Sequence, residues 1–329
     1  MTADRALSRR GVLLGTTGLL AGAVGCSSTG ATATTQISPS ATLPSQSPTA
    51  TPPSAALPPL RPWHTSPHDI EPAAKAAAVR FIEALGTWSQ GEHDLASART
   101  RISALGQDPA LASAGRALLH AAAASVIQVI DAQYGGILAT TSSVLVVCRQ
   151  LVDSPTGTLV HGGTTVDVRL SKIGSRWRVT DLFPARPGPA ASSLSSSATR
   201  VLAHPRITLP PASAADVRSG LIHESVLSTM LALAQDYRIG ISVIRSGHPI
   251  HVFGTQRLSD HPRGRAFDTW QLNGHAVIDG RTPERLVVGY MQRVAALGSY
   301  NVGGPYQLSG AQFFSDNTHH DHVHAGFAS

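Results

Sequence analysis

Lysine and cysteine are nearly missing from this chain of 329 residues, with two of each. The lysines are Lys75 and Lys172, so the formal charge of +6 rests almost wholly on arginine. No arginine cluster is interleaved with aromatic residues, which make up only 5% of the chain. That argues against nucleic acid as a partner and leaves an anionic envelope polymer or lipid surface as the class the charge favours. The cysteines are Cys26 and Cys148, and Cys26 closes the N-terminal apolar run, where it is expected to carry lipid, so no internal disulfide is expected. Cys148 lies in the apolar, strand-like run SSVLVVCRQLV and is expected to fill core as a small hydrophobe. A long apolar run is also lacking. The longest near the N-terminus, from Gly11, is about fifteen residues, short of the roughly twenty that span a bilayer.

What stands at the N-terminus is an address. Arg9 and Arg10 precede the apolar run, which ends in Ala23, Val24, Gly25 and Cys26. Twin arginines of this kind mark the bacterial Tat export route. The A-V-G-C ending resembles a bacterial lipobox, in which the cysteine is acylated and becomes the new N-terminus. Residues 1–25 are therefore expected to be a cleaved signal, with Cys26 lipidated and the protein held at the outer face of the cytoplasmic membrane. The alternative is a plain secretory signal. Residues 26–68 are rich in Ser, Thr, Pro and Ala, cannot bury enough apolar surface to offset chain entropy, and are expected to form a disordered tether.

Two folded units are expected beyond the tether, both α+β. In 69–187, Pro72 opens a helix carrying Val79, Ile82 and Leu85, and further helical stretches are predicted at about 94–104 and 113–132. The period then changes to two: Val166, Val168 and Leu170 alternate, a turn falls at Ile173-Gly174-Ser175, and Trp177 and Val179 resume the strand pattern. Asp131, Asp153, Asp167 and Asp181 have no mutual spacing that defines a site and are expected to be solvated carboxylates at strand edges and turns. The strand pair VDVRLSKIGSRWRVTDLFPA resembles the end of nuclear-transport-factor-2-like domains. The resemblance implies a cone of helices against a curved antiparallel sheet and no activity by itself. This unit is expected to serve as a spacer or as a module for an envelope protein partner. A Gly/Pro/Ser-rich linker is predicted at 188–200.

The remaining unit, 201–329, holds the chemistry. Eight of the fifteen histidines lie between His248 and His324, four of them in NTHHDHVHAGF. Histidine clusters in an exported protein suggest a metal, since neutral imidazole is the commonest zinc ligand. In LSDHPRGRAFDTW a strand from Gly264 would put Gly264, Ala266 and Asp268 on one face, the small residues clearing space beside the carboxylate, with His261 in the preceding loop. His322 and His324 would share another strand face, with Val323 turned into the core. His248, His251 and His275 are expected to be hydrogen-bonded surface residues, and His319 and His320 to face solvent or back up the ligands. The stretch RTPERLVVGYMQRVAALG is predicted to be a core helix through Leu286, Tyr290 and Val294.

Ser259, His261, Gly264, Ala266 and Asp268, followed by a late H-x-H, resemble the zinc D-alanyl-D-alanine carboxypeptidases, the family of the VanY and VanX peptidases and the hedgehog signalling domain. The resemblance implies an α+β domain with an antiparallel sheet, zinc held by His261, Asp268 and His324, and hydrolysis of peptidoglycan stem peptides at a D-alanine bond. It favours Asp321 as general base, while strand parity leaves His322 as the alternative. Where the family has SGYR this chain has RSGHPIH, so Pro249 stands in place of the arginine, with Arg245 and Arg257 as candidates to replace it. The same departure keeps a second reading open, a zinc-containing module that binds peptidoglycan or protein without catalysis.

Overall fold

The computed structural model describes residues 57–329 apart from Pro155. Arg9, Arg10, the apolar run expected to direct export and Cys26, the expected lipidation site, lie outside the described residues. The first helix, α1 (Pro72–Gly86), begins at Pro72, where a missing N–H costs nothing because first-turn donors have no intrahelical acceptor. It buries Ala74, Ala78, Phe81, Ile82 and Leu85. Helix α2 (Leu95–Ala104) is capped by Asp94, whose Oδ1 accepts from the Ser97 N–H at 2.8 Å.

A meander of four antiparallel strands follows: β1 (Ala124–Ile137), β2 (Thr141–Asp153), β3 (Leu159–Ile173) and β4 (Arg176–Pro184). The hairpin turn falls where the sequence places it, with Gly174 at φ 60°. The helix expected over 113–132 is absent. Two short 3-10 turns, Pro109–Ser113 and Arg116–Leu118, lead instead into β1. The residues there are largely β-branched, and Val126, Ile127, Val129 and Ile130 form a strand buried from both sides. Ile127 joins the core under α1, while Ile130 packs with Leu145 and Val147 of β2 against Val243 from the second sheet.

The second sheet has the strand order β10-β9-β11-β7-β6-β5, with β8 paired to β7. Its strands are β5 (Ile207–Thr208), β6 (Ile239–Val243), β7 (Ala266–Leu272), β8 (His275–Ala276), β9 (Asn301–Gly303), β10 (Phe313–Phe314) and β11 (Val323–Gly326). The sheet is mixed and not antiparallel as expected, because β5 runs parallel to β6 and β10 parallel to β9. The helices around it are α3 (Ser196–Ala203), α4 (Pro211–Arg218), α5 (Glu224–Asp236) and α6 (Glu284–Ala296). As expected, α6 packs on the sheet through Tyr290 and Val294, and the Tyr290 hydroxyl lies 2.8 Å from Thr269 Oγ1.

Both sheets belong to one compact unit. The stretches expected to be loose are tied to it. Residues 57–68 lie along the first sheet, where Gln128 Nε2 donates to the Pro59 carbonyl at 3.2 Å and Trp63 packs on the core. In the predicted linker the Ala191 N–H donates to the Arg218 carbonyl at 2.9 Å, and Ser195 caps α3 from within that segment. No helix among the described residues is long and apolar enough to cross a membrane.

Candidate metal centre

Strands β7 and β11 lie side by side and antiparallel, and their register sets His324 directly opposite Asp268. Residues paired in this way project to the same face, which brings the two polar side chains together. Val323, between them in parity, points into the core as expected. His261 arrives from a 3-10 turn, His261–Arg263, immediately before β7. Gly264 closes that turn and is not part of the strand as expected. It sits in the left-handed region at φ 69°, and its N–H donates to the His261 carbonyl at 2.8 Å. A Cβ there would stand 2.1 Å from the Leu221 carbonyl oxygen. The bare backbone of the motif thus serves a turn and a close approach, and only Ala266 lines the strand face as anticipated.

Three ligand-type atoms converge. His324 Nδ1 is 3.0 Å from Asp268 Oδ1, His261 Nε2 is 3.2 Å from the same oxygen, and the two imidazole nitrogens are 3.1 Å apart. Ligands on a tetrahedral zinc at 2.0–2.1 Å are spaced about 3.3 Å from one another, so the triad fits such an ion with minor adjustment. His261 Nδ1 lies 2.8 Å from the Ile244 carbonyl, which can only accept, so Nδ1 carries the proton and Nε2 presents its lone pair. His248 stacks on His261 with ring centroids 3.9 Å apart, and His248, His261 and Asp268 offer atoms within 4.8 Å of one another. This cluster can hold a metal ion. His248 is not the surface residue expected, and its only trace in the sequence is its position just after the apolar strand ISVI.

The electrostatics suit that role. Burial opposes ionisation of Asp268, but His261 and His322 draw its pKa well below the ordinary carboxylate value. Burial, reinforced by neighbouring imidazoles, pushes His324 down to about 4 and His248 well below its usual value. At neutral pH Asp268 is therefore ionised while His324 and His248 are neutral, the protonation states that metal binding requires of a carboxylate and of imidazoles.

Asp321 and His322 form a second layer. His322 Nδ1 lies 2.6 Å from Asp321 Oδ1, leaving His322 Nε2 at 3.8 Å from Asp268 Oδ2. The other Asp321 oxygen meets the Lys75 ammonium at 2.6 Å and accepts the Tyr134 N–H at 3.1 Å. Lys75 also pairs with Asp69. Burial works against every charge here, yet Lys75 and His322 hold Asp321 down at about 2, while Asp268 and Asp321 raise His322. Both oxygens of Asp321 are therefore engaged away from the metal position.

A cavity of about 510 Å³ opens onto His261, His322 and His324, with Arg257 and His319 on its walls. A larger neighbour of about 880 Å³ shares His248, Val252 and Phe253 with it. Arg245 is not in the metal cavity: its guanidinium donates to the Pro187 carbonyl at 3.2 Å and lies 3.7 Å from Asp216. Of the two arginine candidates, only Arg257 lines that cavity. Cys148 is buried with its thiol pushed up to about 11, in keeping with a core role.

The acids expected to be solvated divide. Asp181 is exposed, but Asp167 is buried, accepting from Arg169 Nε at 2.8 Å and Ser143 Oγ at 2.6 Å. Asp131 has an oxygen with neither solvent nor a partner, and burial pushes its pKa up to about 7. Both lie on faces that the second sheet covers, a contact that strand periodicity does not reveal. No known protein family, curated protein or solved structure matches this chain.

Proposed function

We propose that the protein is a zinc-dependent peptidase of the D-alanyl-D-alanine carboxypeptidase type, exported, anchored through Cys26, and acting on peptidoglycan stem peptides at a D-alanine bond. The observation that carries this reading is the convergence of His261 Nε2, Asp268 Oδ1 and His324 Nδ1 at 3.0–3.2 Å beside His322, which faces the same cavity and is held from behind by Asp321. Zinc held by His261, Asp268 and His324 would supply Lewis acidity for a hydrolysis of this kind.

The chain's own residues supply the proton chemistry. His322 Nε2 accepts the proton of the attacking water and returns it to the departing amine as the C–N bond breaks. Asp321 holds the imidazole by Nδ1 and stabilises the imidazolium, and Lys75 keeps Asp321 ionised so that the proton stays on His322. This assignment prefers His322 to Asp321 as base, because both Asp321 oxygens already have partners. Arg257 is the cation available to a peptide carboxylate or to the developing oxyanion. The position of Arg245 outside the cavity and Pro249 at the family's arginine position favour the second reading, a zinc-containing binding module.

The experiment is mass spectrometry of products after incubating the intact zinc-loaded chain with purified peptidoglycan fragments, beside Asp268→Ala and His322→Ala. Loss of terminal D-alanine or a cut cross-link, absent with both variants, supports the peptidase. Bound zinc with no product assigns the binding module.

A further inference from the structure

The carboxylate of Asp268 has two oxygens: Oδ1 faces the imidazoles of His261 and His324, and Oδ2 has His322 Nε2 no nearer than 3.8 Å. Oδ2 is buried, and a buried carboxylate oxygen without a donor is costly. Its donor comes from the other sheet: Gln133 Nε2, on β1, donates to Asp268 Oδ2 at 2.6 Å across a sequence separation of 135 residues. The amide is held in that orientation by Ser242 of β6, whose hydroxyl donates to Gln133 Oε1 and also lies 3.2 Å from the Asp268 carbonyl oxygen. Both Gln133 and Ser242 are buried.

The placement follows from the strand. Alternation along β1 turns Tyr134 into the core of the first sheet, where its hydroxyl accepts the Glu71 N–H at 3.1 Å, and so turns Gln133 outward. Because β1 is the edge of its sheet, the Tyr134 N–H has no strand partner on that side and is free to donate to Asp321. One turn of edge strand thus delivers a donor to Asp268 and another to the Asp321–His322 pair, and Lys75 of α1 adds a charge to the latter.

We propose that the metal site is built jointly by the two sheets, with Gln133 as the positioning residue of the ligand Asp268. The inference rests on the reading of His261, Asp268 and His324 as metal ligands. A neutral amide suits the role: it fixes the carboxylate and satisfies Oδ2 while leaving the full negative charge for a cation, which a lysine at the same place would neutralise. The one buried lysine ammonium among the described residues, that of Lys75, is directed instead at Asp321 and Asp69. The segment 69–187 is then a structural part of the metal centre and not only a spacer.

The test measures zinc affinity of the intact chain by chelator competition and the visible spectrum of its cobalt form. Gln133→Met keeps length and burial but removes both hydrogen bonds. Gln150→Met is the control, since Gln150 is buried in the same sheet and bonds the Gly86 and Leu118 carbonyls far from the site. Gln133→Met is expected to weaken zinc about 10- to 100-fold and to shift the cobalt bands, the range seen when partners of metal ligands are removed. Gln150→Met is expected to lose stability but keep its affinity. Ser242→Ala, which frees the amide, should move affinity in the same direction by less, and it decides the matter if Gln133→Met does not fold. Wild-type affinity and spectrum in Gln133→Met, or an equal loss in Gln150→Met, would overturn the proposal alone. A wild-type chain that takes up no zinc would overturn the ligand reading together with it.

Discussion

Of the two lysines, Lys75 is buried and Lys172 is not, and the buried one sits between two buried carboxylates. Removing one member of such a group leaves uncompensated charge in a poorly solvated place, typically 3–5 kcal/mol. Lys75→Met should therefore destabilise the metal-free chain by about 3–5 kcal/mol in urea unfolding, and adding Asp69→Asn should recover part of the loss. Recovery is the diagnostic outcome, because a purely steric effect of methionine would not be relieved at Asp69. Asp321, held at about 2 against an ordinary 3.8, contributes stability that is present above pH 4 and lost as pH falls towards 2. Lys75, raised above 10.5, contributes stability that persists below that pH and is lost as pH rises beyond it. His322 carries a separate expectation. His322→Ala should lower kcat by roughly 10²- to 10⁴-fold, the usual contribution of a general base, with zinc affinity little changed. A collapse of affinity like that of His324→Ala would make His322 a ligand and return the base to another group.

At the scale of elements, Gly264 and Gly274 offer a matched pair. Both are left-handed, at φ 69° and 88°, but a Cβ at Gly264 strikes the Leu221 carbonyl while nothing lies within 4 Å at Gly274. Gly274→Ala should cost about 1 kcal/mol for the backbone conformation alone. Gly264→Ala should cost more and also weaken zinc, because the clash displaces the turn that carries His261; equal thermal and zinc titrations for both variants would refute this. The same comparison shows what was legible. His261 and Asp268 could be brought together because a loop and the strand after it are specified by short local patterns, whereas the choice of His324 over His322 came only with the family resemblance. The hairpin β3–β4 and helices α1 and α6 could be read from periodicity for the same reason. Strand β1 could not, because its two buried faces erase the alternation that marks a strand, and Val126, Ile127 and Ile130 match helical spacing equally well. His248, Gln133 and Lys75 were out of reach for a different reason. Their roles arise from contacts with chain segments far away in sequence, and a lone His, Gln or Lys in an otherwise ordinary element carries no sign of them.

For the whole molecule, the join between the sheets is where its stability should respond to pH. The apolar part of that join is small, Leu145, Val147 and Ile130 against Val243, whereas Lys75, Asp69, Asp131, Asp321 and His322 crowd beside it. Asp131 is the member without a full set of partners. Burial raises its pKa from 3.8 to about 7, opposed by Lys75 and assisted by Asp321, so the folded state favours the protonated acid. Such a group contributes stability that is fully present below pH 4 and is lost as pH rises through 7, because the unfolded chain releases the proton first. A shift of this size corresponds to at most about 4 kcal/mol across the window. Asp131→Asn keeps the shape and cannot ionise. It should therefore match the wild type near pH 4 and exceed it in unfolding free energy at pH 8, with a flatter profile between. If the two profiles run parallel from pH 4 to 8, Asp131 is ionised in the fold throughout. Lys75 would then serve three carboxylates instead of two, and Lys75→Met would be the more damaging change at pH 8 than at pH 5.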